Sequence, residues 1–568
     1  MMNTLQRNHS KSAQNVRGKN REQPVDPASG GKLALRGRIV TMNESFEVIA
    51  DGVIYIEHGS IAAIAPVSAP MPAGFEGIPV IQSGGTIYPG LIELHNHLAY
   101  NALCLWDVPK QFSNRNQWSG IPEYRKLISG PMQIIGKSPQ LVPALIRYVE
   151  CKSLVGGVTT SQGIQLFSNA GIRRYYRGIV RNVEQTDEAA LPEADTRIAD
   201  VDAKDAQRFF SQLKKASCFL LHLSEGIDQA ARKHFLSLQL PDEHWAITRQ
   251  LAGIHCAGLT QADFGVYGRN GGAMIWSPLS NLLLYGKTAD IAAAKAAGVR
   301  IGIGSDWSPS GSKNLLGELK VARLVSQASG AVFSDRDILA MATRNAAAIL
   351  QWEDVLGSLE QGKRADLIVV SHQTDDPYAN LLQAKETAIR LVMINGVPRY
   401  GLPGLMQSLG VAGETLRIGG LRRVIFLQQQ TADPSMGSLT LKSAAALLRK
   451  ALSRLPEIAR ELEQPAAAPR VMLAKLGNQL AQPQEWTIAL DELEDSGMDL
   501  RPRLSLAGAV EPTGAVRGLE RAAAPLSQIV QPLPLDPLTV AGDPDFLDRI
   551  ANQKNLPGYV KTGLPTLY

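Results

Sequence analysis

Short apolar runs separated by polar turns fill the first part of the chain, between Leu33 and Pro66. Two of these runs, Val53–Glu57 and Ser60–Ile64, flank a His-Gly pair, and Gly-containing pairs of this kind are typical of tight turns between strands. Strand-like runs with similar turn chemistry return after residue 355. Because so small a segment needs a partner sheet, the pattern predicts that residues 33–85 and 355–405 build one small flanking β-sandwich domain together.

Between these flanks, helical and strand-like patterns alternate, which is typical of a parallel α/β sheet. The predicted strands are Tyr88–His97, Gly157–Ser161, Arg177–Val183, Arg197–Val201, Cys218–His222, Leu251–His255, Ala273–Ser277 and Val299–Gly304. Eight strands of this kind suit a (β/α)8 TIM barrel. The sequence therefore predicts such a barrel over residues 86–354.

A long irregular insertion, Leu98–Ser138, interrupts the alternation directly after the first barrel strand. Loops of this length inside a compact domain are usually functional or disordered. Its aromatic residues, among them Trp106, Trp118 and Tyr124, argue against disorder. We predict a lid or pocket wall, and the alternative is a loop that packs over the barrel without touching substrate.

The two ends of the chain lack the alternating pattern. Residues 1–32 are polar and have no hydrophobic signal core, so we expect a disordered N-terminal arm. Residues 406–568 form a C-terminal extension with an amphipathic helix predicted over 443–462, followed by linkers rich in Pro and Ala. The sequence assigns no chemistry to this extension, which we expect to pack on the barrel or to form a subunit contact.

The composition narrows the class of protein. The chain has 568 residues, of which 45% are hydrophobic, so it can bury a large core. Its formal net charge of +5 is small for this length and gives no strong case for a nucleic-acid partner. The four cysteines have no CxxC spacing, and no apolar run is long enough to span a bilayer. We expect a cytoplasmic enzyme with a small-molecule substrate and no membrane partner, and a homo-oligomer stays open.

The end of the first barrel strand carries two histidines, His95 and His97, one residue apart. Side chains alternate between the faces of a strand, so these two imidazoles point the same way and form half of a metal site. The alternative is a pair of ordinary polar residues at a strand end. His222, His255 and Asp306 also fall at the C-terminal ends of predicted strands, where barrels carry their functional residues.

An ordered set of motifs extends from Leu33 to Tyr400. These motifs are PGLIELHNH, GGVTT, HLSEG, GIHCAGL, SPLSN, AGVRIGIGSDWSPSGS, ATRNAAAIL and GSLEQGKRADLIVV. In this order they resemble the amidohydrolase superfamily, in particular its cytosine deaminase-like and triazine hydrolase-like branch. The resemblance covers about two-thirds of the chain and implies the barrel fold independently of the strand count.

The resemblance also implies a catalytic centre with one divalent metal ion. The residues that match the family's ligands are His95, His97, His222 and Asp306, and this donor set suits Zn²⁺ and would also accept Fe²⁺. Glu225 matches a glutamate that moves protons between the nucleophilic water and the substrate. His255 matches a histidine that orients the hydroxide and polarises the substrate, and Asp306 can also accept a proton.

Substrate contacts are weakly defined by the motifs. Ser280 and Asn281 match a family pair after the seventh strand, with a turn that caps the next segment as an equal alternative. Trp106 is a further candidate from the insertion. Two departures limit the substrate assignment, because the segment after His97 differs from nucleoside-binding relatives and the fourth strand has no histidine. Lys204, the nearest candidate for the bridging lysine of two-metal members, is predicted to start a helix instead.

These inferences lead to one principal function and two alternatives. The principal hypothesis is a metal-dependent amidohydrolase whose metal-activated hydroxide cleaves a C–N bond, as deaminases do, in a small cyclic or heteroaromatic substrate. The same site would also suit hydrolysis of a lactam, a cyclic amide or a carbon–halogen bond. A non-catalytic barrel scaffold ranks lowest, because such relatives usually lose the ligands that this chain retains.

Overall fold

The computed structural model describes residues 31–138, 140–163, 166–168, 178–186, 188–241, 243–428, 434–463, 486–488 and 524–568. The predicted N-terminal arm, apart from its last two residues, and the linkers after residue 463 lie outside these ranges. Within them, no helix is both long enough and apolar enough to cross a membrane.

The described strands number nineteen in chain order. They are β1 Leu33–Val40, β2 Val48–Glu57, β3 Ser60–Pro66, β4 Val80–Pro89, β5 Leu91–Glu93, β6 Val158–Ser161, β7 Leu166–Ser168, β8 Arg181–Asn182, β9 Ala194–Arg197, β10 Cys218–Leu223, β11 Leu251–His255, β12 Ala273–Trp276, β13 Arg300–Ile303, β14 Leu367–Ser371, β15 Ile389–Ile394, β16 Val397–Gly401, β17 Glu414–Ile418, β18 Leu421–Ile425 and β19 Trp486–Ile488.

Helices connect and flank these strands. The α-helices are Pro122–Tyr124, Gly130–Gly136, Val142–Val155, Ala206–Leu213, Gln229–Leu236, Gln261–Arg269, Pro278–Tyr285, Ile291–Ala296, Leu315–Ala328, Asp335–Met341, Arg344–Leu350, Pro377–Leu382, Pro403–Ser408, Pro434–Gly437, Leu441–Leu452, Leu455–Glu463, Leu526–Ile529, Phe546–Asn552 and Gly558–Thr566. Shorter 3₁₀ turns are Leu98–Ala102, Arg115–Gln117, Ala203–Asp205, Glu386–Ala388 and Val540–Gly542, and Arg125–Ser129 is π-helical.

Strands from both sides of the α/β region form one nine-stranded sheet, in the order β17-β18-β16-β15-β14-β4-β1-β2-β3. Its central strand β14 is buried on both faces: Leu367 and Val369 pack with Ile87 on one side, and Ile368 and Val370 contact the main core on the other. The sheet therefore unites both flanks of the chain and reaches Ile425, beyond residue 405. Its assignment as a separate sandwich domain stays a prediction.

Eight parallel strands form the α/β region in two sheets, β5-β6-β8 and β13-β12-β11-β10-β9. Backbone hydrogen bonds join the two sheets at both edges. Asp306 N donates to the His95 carbonyl at 3.0 Å, and Ala194 N donates to the Val183 carbonyl at 2.9 Å. The predicted alternation of helices with parallel strands is confirmed.

The first predicted strand, Tyr88–His97, is divided into two. β4 ends at Pro89 in the nine-stranded sheet, and β5 begins the parallel sheet at Leu91. Gly90 lies at the division, where a Cβ would approach Thr159 Oγ1 to 2.3 Å, so only glycine fits this crossing point. His95 and His97 therefore follow β5 rather than end it.

Other predicted elements have shifted limits. The predicted strand Arg177–Val183 is a strand only over Arg181–Asn182 among the described residues. The fourth parallel strand covers Ala194–Arg197 instead of 197–201, and directly after it the Arg197 side chain donates to the Ala199 carbonyl at 2.6 Å.

The predicted helix 443–462 is two helices, Leu441–Leu452 and Leu455–Glu463. Pro456 lies in the first turn of the second helix, where proline is tolerated. Within one continuous helix it would have no N–H to donate to the Leu452 carbonyl, so the helix is interrupted before it.

Candidate active site

The C-terminal ends of three parallel strands, β5, β10 and β13, bring the predicted metal ligands together. His95 Nε2 lies 3.2 Å and His97 Nε2 lies 3.4 Å from Asp306 Oδ1. One ring nitrogen from each of His95, His97 and His222 lies within 4.8 Å of the other two. The carboxyl ends of neighbouring parallel strands meet at one edge, which is why residues far apart in sequence converge here.

The cluster is shielded from solvent. His95 is fully buried, and neither of its ring nitrogens makes a hydrogen bond. Burial lowers the pKa of His95, and burial together with the neighbouring histidines lowers the pKa of His222 well below its ordinary value. Both imidazoles are therefore neutral near pH 7, which is the form that binds metal ions.

Asp306 supplies the negative charge of the cluster. Burial opposes its ionisation, but the neighbouring histidine rings, led by His95, stabilise the carboxylate and hold the pKa of Asp306 below its ordinary range. Three imidazole nitrogens and one carboxylate form a donor set that suits Zn²⁺.

At the ends of three strands, a residue other than glycine has a left-handed backbone conformation. Ser224, His255 and Asp306 have φ values of 50°, 70° and 66°. Such conformations are uncommon for residues other than glycine and occur at sites where the surrounding structure enforces them.

A hydrogen-bonded layer under the cluster fixes the turn between the first two histidines. Asn96 N donates to Gln162 Oε1 at 2.8 Å, and its side-chain amide donates to Ser305 Oγ at 3.1 Å. Ser305 N in turn donates to the buried Glu93 carboxylate at 3.1 Å. The loops that carry His97 and Asp306 are thus tied to each other directly.

Glu225 faces the cluster from the loop after β10. Its Oε2 lies 3.8 Å from His255 Nε2 and 3.6 Å from Arg115 Nη1, and its Oε1 accepts a hydrogen bond of 2.7 Å from the Tyr285 hydroxyl. His222, Glu225 and His255 together bring one ligand atom each within 4.8 Å of the others. The predicted acid–base residue and the predicted orienting histidine therefore adjoin the candidate metal ligands.

The three predicted substrate residues occupy different surroundings. Asn281 Oδ1 lies 2.8 Å from His255 Nδ1, so an amide oxygen fixes that ring and directs Nε2 toward the cluster. Ser280 Oγ lies 3.0 Å from Ser310 Oγ. Trp106 stacks on Phe112 at 6.3 Å between ring centroids. Asn281 is thus a partner of His255, and a substrate contact for Asn281, Ser280 or Trp106 stays a prediction.

Aromatic residues from the insertion and from two later segments lie beside the cluster, although the sequence did not single them out as site residues. The aromatic rings of the insertion meet Trp307, whose ring centroid lies 5.4 Å from His97 and 6.1 Å from both Trp118 and Tyr124. The sequence could have indicated Trp307, because it directly follows the predicted ligand Asp306. It could also have indicated Tyr285, which lies one helical turn after Asn281.

Lys204 lies outside this cluster. Its side chain is 79% exposed and lies 3.7 Å from Asp202 in a short 3₁₀ turn. The side chain therefore points to solvent.

The described residues thus form an α/β fold with a cluster of histidine and carboxylate side chains at the C-terminal ends of its parallel strands. Residues 232–399 match the model of the amidohydrolase family. The resemblance to the amidohydrolase family is therefore confirmed over these residues, and the class of hydrolase predicted from the sequence is confirmed.

The sequence relatives come from the branch that the motifs predicted. The chain is 26% identical over 393 residues to a 5-methylthioadenosine/S-adenosylhomocysteine deaminase of Moorella thermoacetica, covering 61% of this chain and 90% of the relative. It is 30% identical over 158 residues to an S-triazine hydrolase of Gordonia rubripertincta, covering 26% of this chain and 33% of the relative.

Solved structures share the fold. An adenosine deaminase from Xanthomonas campestris with bound zinc aligns with a TM-score of 0.51 and 16% identity, over 76% of this chain and 99% of that one. An atrazine chlorohydrolase from Arthrobacter aurescens complexed with zinc aligns with a TM-score of 0.52 and 20% identity, over 64% and 94%.

Proposed function

We propose that this protein is a single-metal deaminase of heteroaromatic amines, with His95, His97, His222 and Asp306 as the metal ligands. The proposal includes closure of the two parallel sheets into a (β/α)8 barrel, supported by the hydrogen bonds at both of their edges. Deaminases are hydrolases that act on C–N bonds, and deaminases are among the relatives of this chain.

One observation carries the metal assignment. His95 is completely buried and leaves both ring nitrogens without a hydrogen bond, although buried polar atoms are nearly always paired. A metal ion would satisfy the nitrogen that faces Asp306. Zn²⁺, with Fe²⁺ as the alternative, would there lower the pKa of a water molecule and so supply a nucleophile near neutral pH.

Glu225 and His255 would move protons and orient the reactants. Glu225 Oε2 would accept a proton from the attacking water and deliver it to the ring nitrogen or the leaving amine. His255 Nε2, aimed by Asn281, would hold the nucleophile against the ring carbon. Because each proton that Glu225 accepts is passed on, the carboxylate is restored at the end of a turnover.

The aromatic surroundings support a flat ring as the substrate. Trp307, Trp118 and Tyr124 lie within 6.1 Å of one another by ring centroids, and Trp307 also adjoins His97. Planar heteroaromatic rings pack well against such faces. Among the relatives are deaminases of adenosine derivatives and a hydrolase of triazines, so we propose an amino-substituted purine or triazine.

Release of ammonia from a panel of such compounds tests the proposal directly. The zinc-loaded protein should release ammonia from at least one aminopurine or aminotriazine, and the E225Q variant should not. Turnover of amides and lactams alone would overturn the deaminase assignment.

A second candidate is hydrolysis of a carbon–halogen bond on the same ring. The S-triazine hydrolase among the sequence relatives supports a triazine as the ring that would carry the halogen, without distinguishing which bond is cleaved. Chloride release from chlorotriazines, measured beside ammonia release from the matching aminotriazines, separates the two reactions. The cytoplasmic location and a homo-oligomeric state stay predictions.

A further inference from the structure

The helix Pro278–Tyr285 ends in a tyrosine whose hydroxyl lies between the insertion and Glu225. The Tyr285 hydroxyl lies 2.7 Å from Glu225 Oε1 and 2.9 Å from Trp118 Nε1. Tyr285 is fully buried, and Trp118 is 7% exposed. The proposed proton transfer assigns no role to Tyr285, and it uses Trp118 only as part of the aromatic surroundings of the substrate.

The direction of both hydrogen bonds follows from the groups involved. An indole N–H can only donate, so Trp118 donates to the Tyr285 oxygen. The single proton of that hydroxyl is then directed to Glu225 Oε1, which can only accept while Glu225 is ionised. Burial, with the adjacent Glu225 charge, raises the pKa of Tyr285 well above its ordinary value, so the hydroxyl keeps its proton.

The other carboxylate oxygen is oriented differently. Glu225 Oε2 faces His255 Nε2 at 3.8 Å and Arg115 Nη1 at 3.6 Å. The two oxygens of one carboxylate therefore have different partners: Oε1 is bound to a hydroxyl that does not release its proton, and Oε2 faces the candidate metal cluster.

The insertion is also tied to the Glu225 loop through the backbone. Arg115 N donates to the Glu225 carbonyl at 3.2 Å, and Ile227 N donates to the Ser113 carbonyl at 2.7 Å. Asn114 and Gly226 form the antiparallel bridge between these two bonds. A Cβ on Gly226 would lie 2.5 Å from the Ser113 carbonyl oxygen, so the close approach depends on glycine.

We propose that Tyr285 and Trp118 are positioning residues for Glu225, which hold Oε1 in place so that Oε2 is the oxygen that carries the proton. The inference rests on the proposed function, because it assigns a device to the proton transfer at Glu225. Oε2 accepts the proton from water and passes it to the substrate, while the O–H bond of Tyr285 remains intact throughout.

Three variants test this arrangement in the full-length, zinc-loaded protein. Y285F removes the hydroxyl, W118F removes the indole donor while keeping an aromatic ring, and the third variant combines both. Y88F is the matched control, since Tyr88 is fully buried in β4, donates to the Pro377 carbonyl at 2.6 Å and accepts from Asn380 at 3.0 Å. The measurements are kcat, KM, zinc content and the melting temperature of each variant.

The expected result is a loss in kcat without a loss of metal. Y285F should lower kcat by roughly ten- to a hundredfold, the usual effect of removing a hydrogen bond to a charged group. KM and zinc content should be unchanged. W118F should lower kcat less, because it keeps an aromatic ring beside the substrate. The double variant should match Y285F, because the indole N–H of Trp118 reaches Glu225 only through the Tyr285 hydroxyl.

Other outcomes would overturn the inference. Unchanged kcat in Y285F would exclude a positioning role. Additive losses of kcat in the double variant, or losses of kcat that parallel a drop in melting temperature, would also exclude it. If Y285F does not fold, full activity of W118F would exclude the positioning role instead. E225Q separates the two proposals: an active E225Q contradicts the proton transfer itself, whereas an inactive E225Q beside a fully active Y285F contradicts only the inference about Tyr285.

Discussion

Lys152 and Asp536 form a buried ion pair beneath the turn that carries His95 and His97. The Lys152 ammonium also donates to the Asn101 carbonyl at 2.9 Å and to Ser308 Oγ at 2.7 Å. Asn101 is in turn bonded to Asn96, between the two histidines, at 3.0 Å. The C-terminal segment, to which the sequence assigned no chemistry, is therefore part of the support of the candidate metal centre.

Substitution of Asp536 by Asn should destabilise the protein strongly. Asp536 also pairs with Lys313 at 2.7 Å, so the variant leaves two buried ammonium groups with one fewer carboxylate. Breaking a buried pair from one side costs about 3–5 kcal/mol of the free energy of unfolding. Urea denaturation measures this loss, and D51N, at the exposed pair with Arg36, is the control that should show little change. Equal stability of the two variants would contradict the role of Asp536.

Substitution of His95 by Ala should abolish metal binding. The variant removes the most buried ligand of the cluster, and three-residue remnants of a four-ligand site bind zinc far more weakly. Metal analysis of the purified protein after zinc loading and dialysis measures the effect. H58A is the control, because that side chain is 75% exposed at a turn. A full zinc complement in H95A would rule out the proposed ligand set.

Substitution of Glu225 by Gln should separate metal binding from turnover. The amide keeps the shape of the side chain but cannot accept a proton, and positioned acid–base groups contribute roughly 10²- to 10⁴-fold to rate. We expect a loss of that order in kcat with an unchanged zinc content. E461Q, at an exposed position, serves as the control. Wild-type turnover in E225Q would refute the proton-transfer role.

Stability should decrease as the pH rises from about 5 toward 8, in part because of Glu318. Burial raises the pKa of this fully buried carboxyl group from 4.5 to about 8, against the hydrogen bonds from Ser312 and Leu279 N. A raised acid pKa means that the folded state holds a proton that the unfolded chain has released, so this contribution is full below about pH 4.5 and is lost through pH 8.

The E318Q variant tests this linkage, since an amide cannot titrate. Urea midpoints measured at pH 5 and pH 8 should differ less in E318Q than in the wild type. An identical pH dependence in both proteins would show that Glu318 does not titrate in this range.

The sequence predicted the residues of the cluster well because their position follows from local patterns. His222 and His255 end or nearly end strands that apolar runs define, and Asp306 follows another. Parallel strands place such ends at one edge, so strand pattern and motif order were sufficient. The shifted limits arose where a single residue overrides the pattern, as Gly90 does between β4 and β5.

The sequence alone determined the alternating α/β architecture, the family and the residues that adjoin the candidate metal centre. The tertiary structure decided which groups surround Glu225 and what the C-terminal segment supports. Trp118 meets Tyr285 across 167 residues, and Lys152 meets Asp536 across 384. Contacts of this kind have no period in the sequence, because they depend on how the insertion and the C-terminal segment pack against the parallel strands rather than on the chain around each residue.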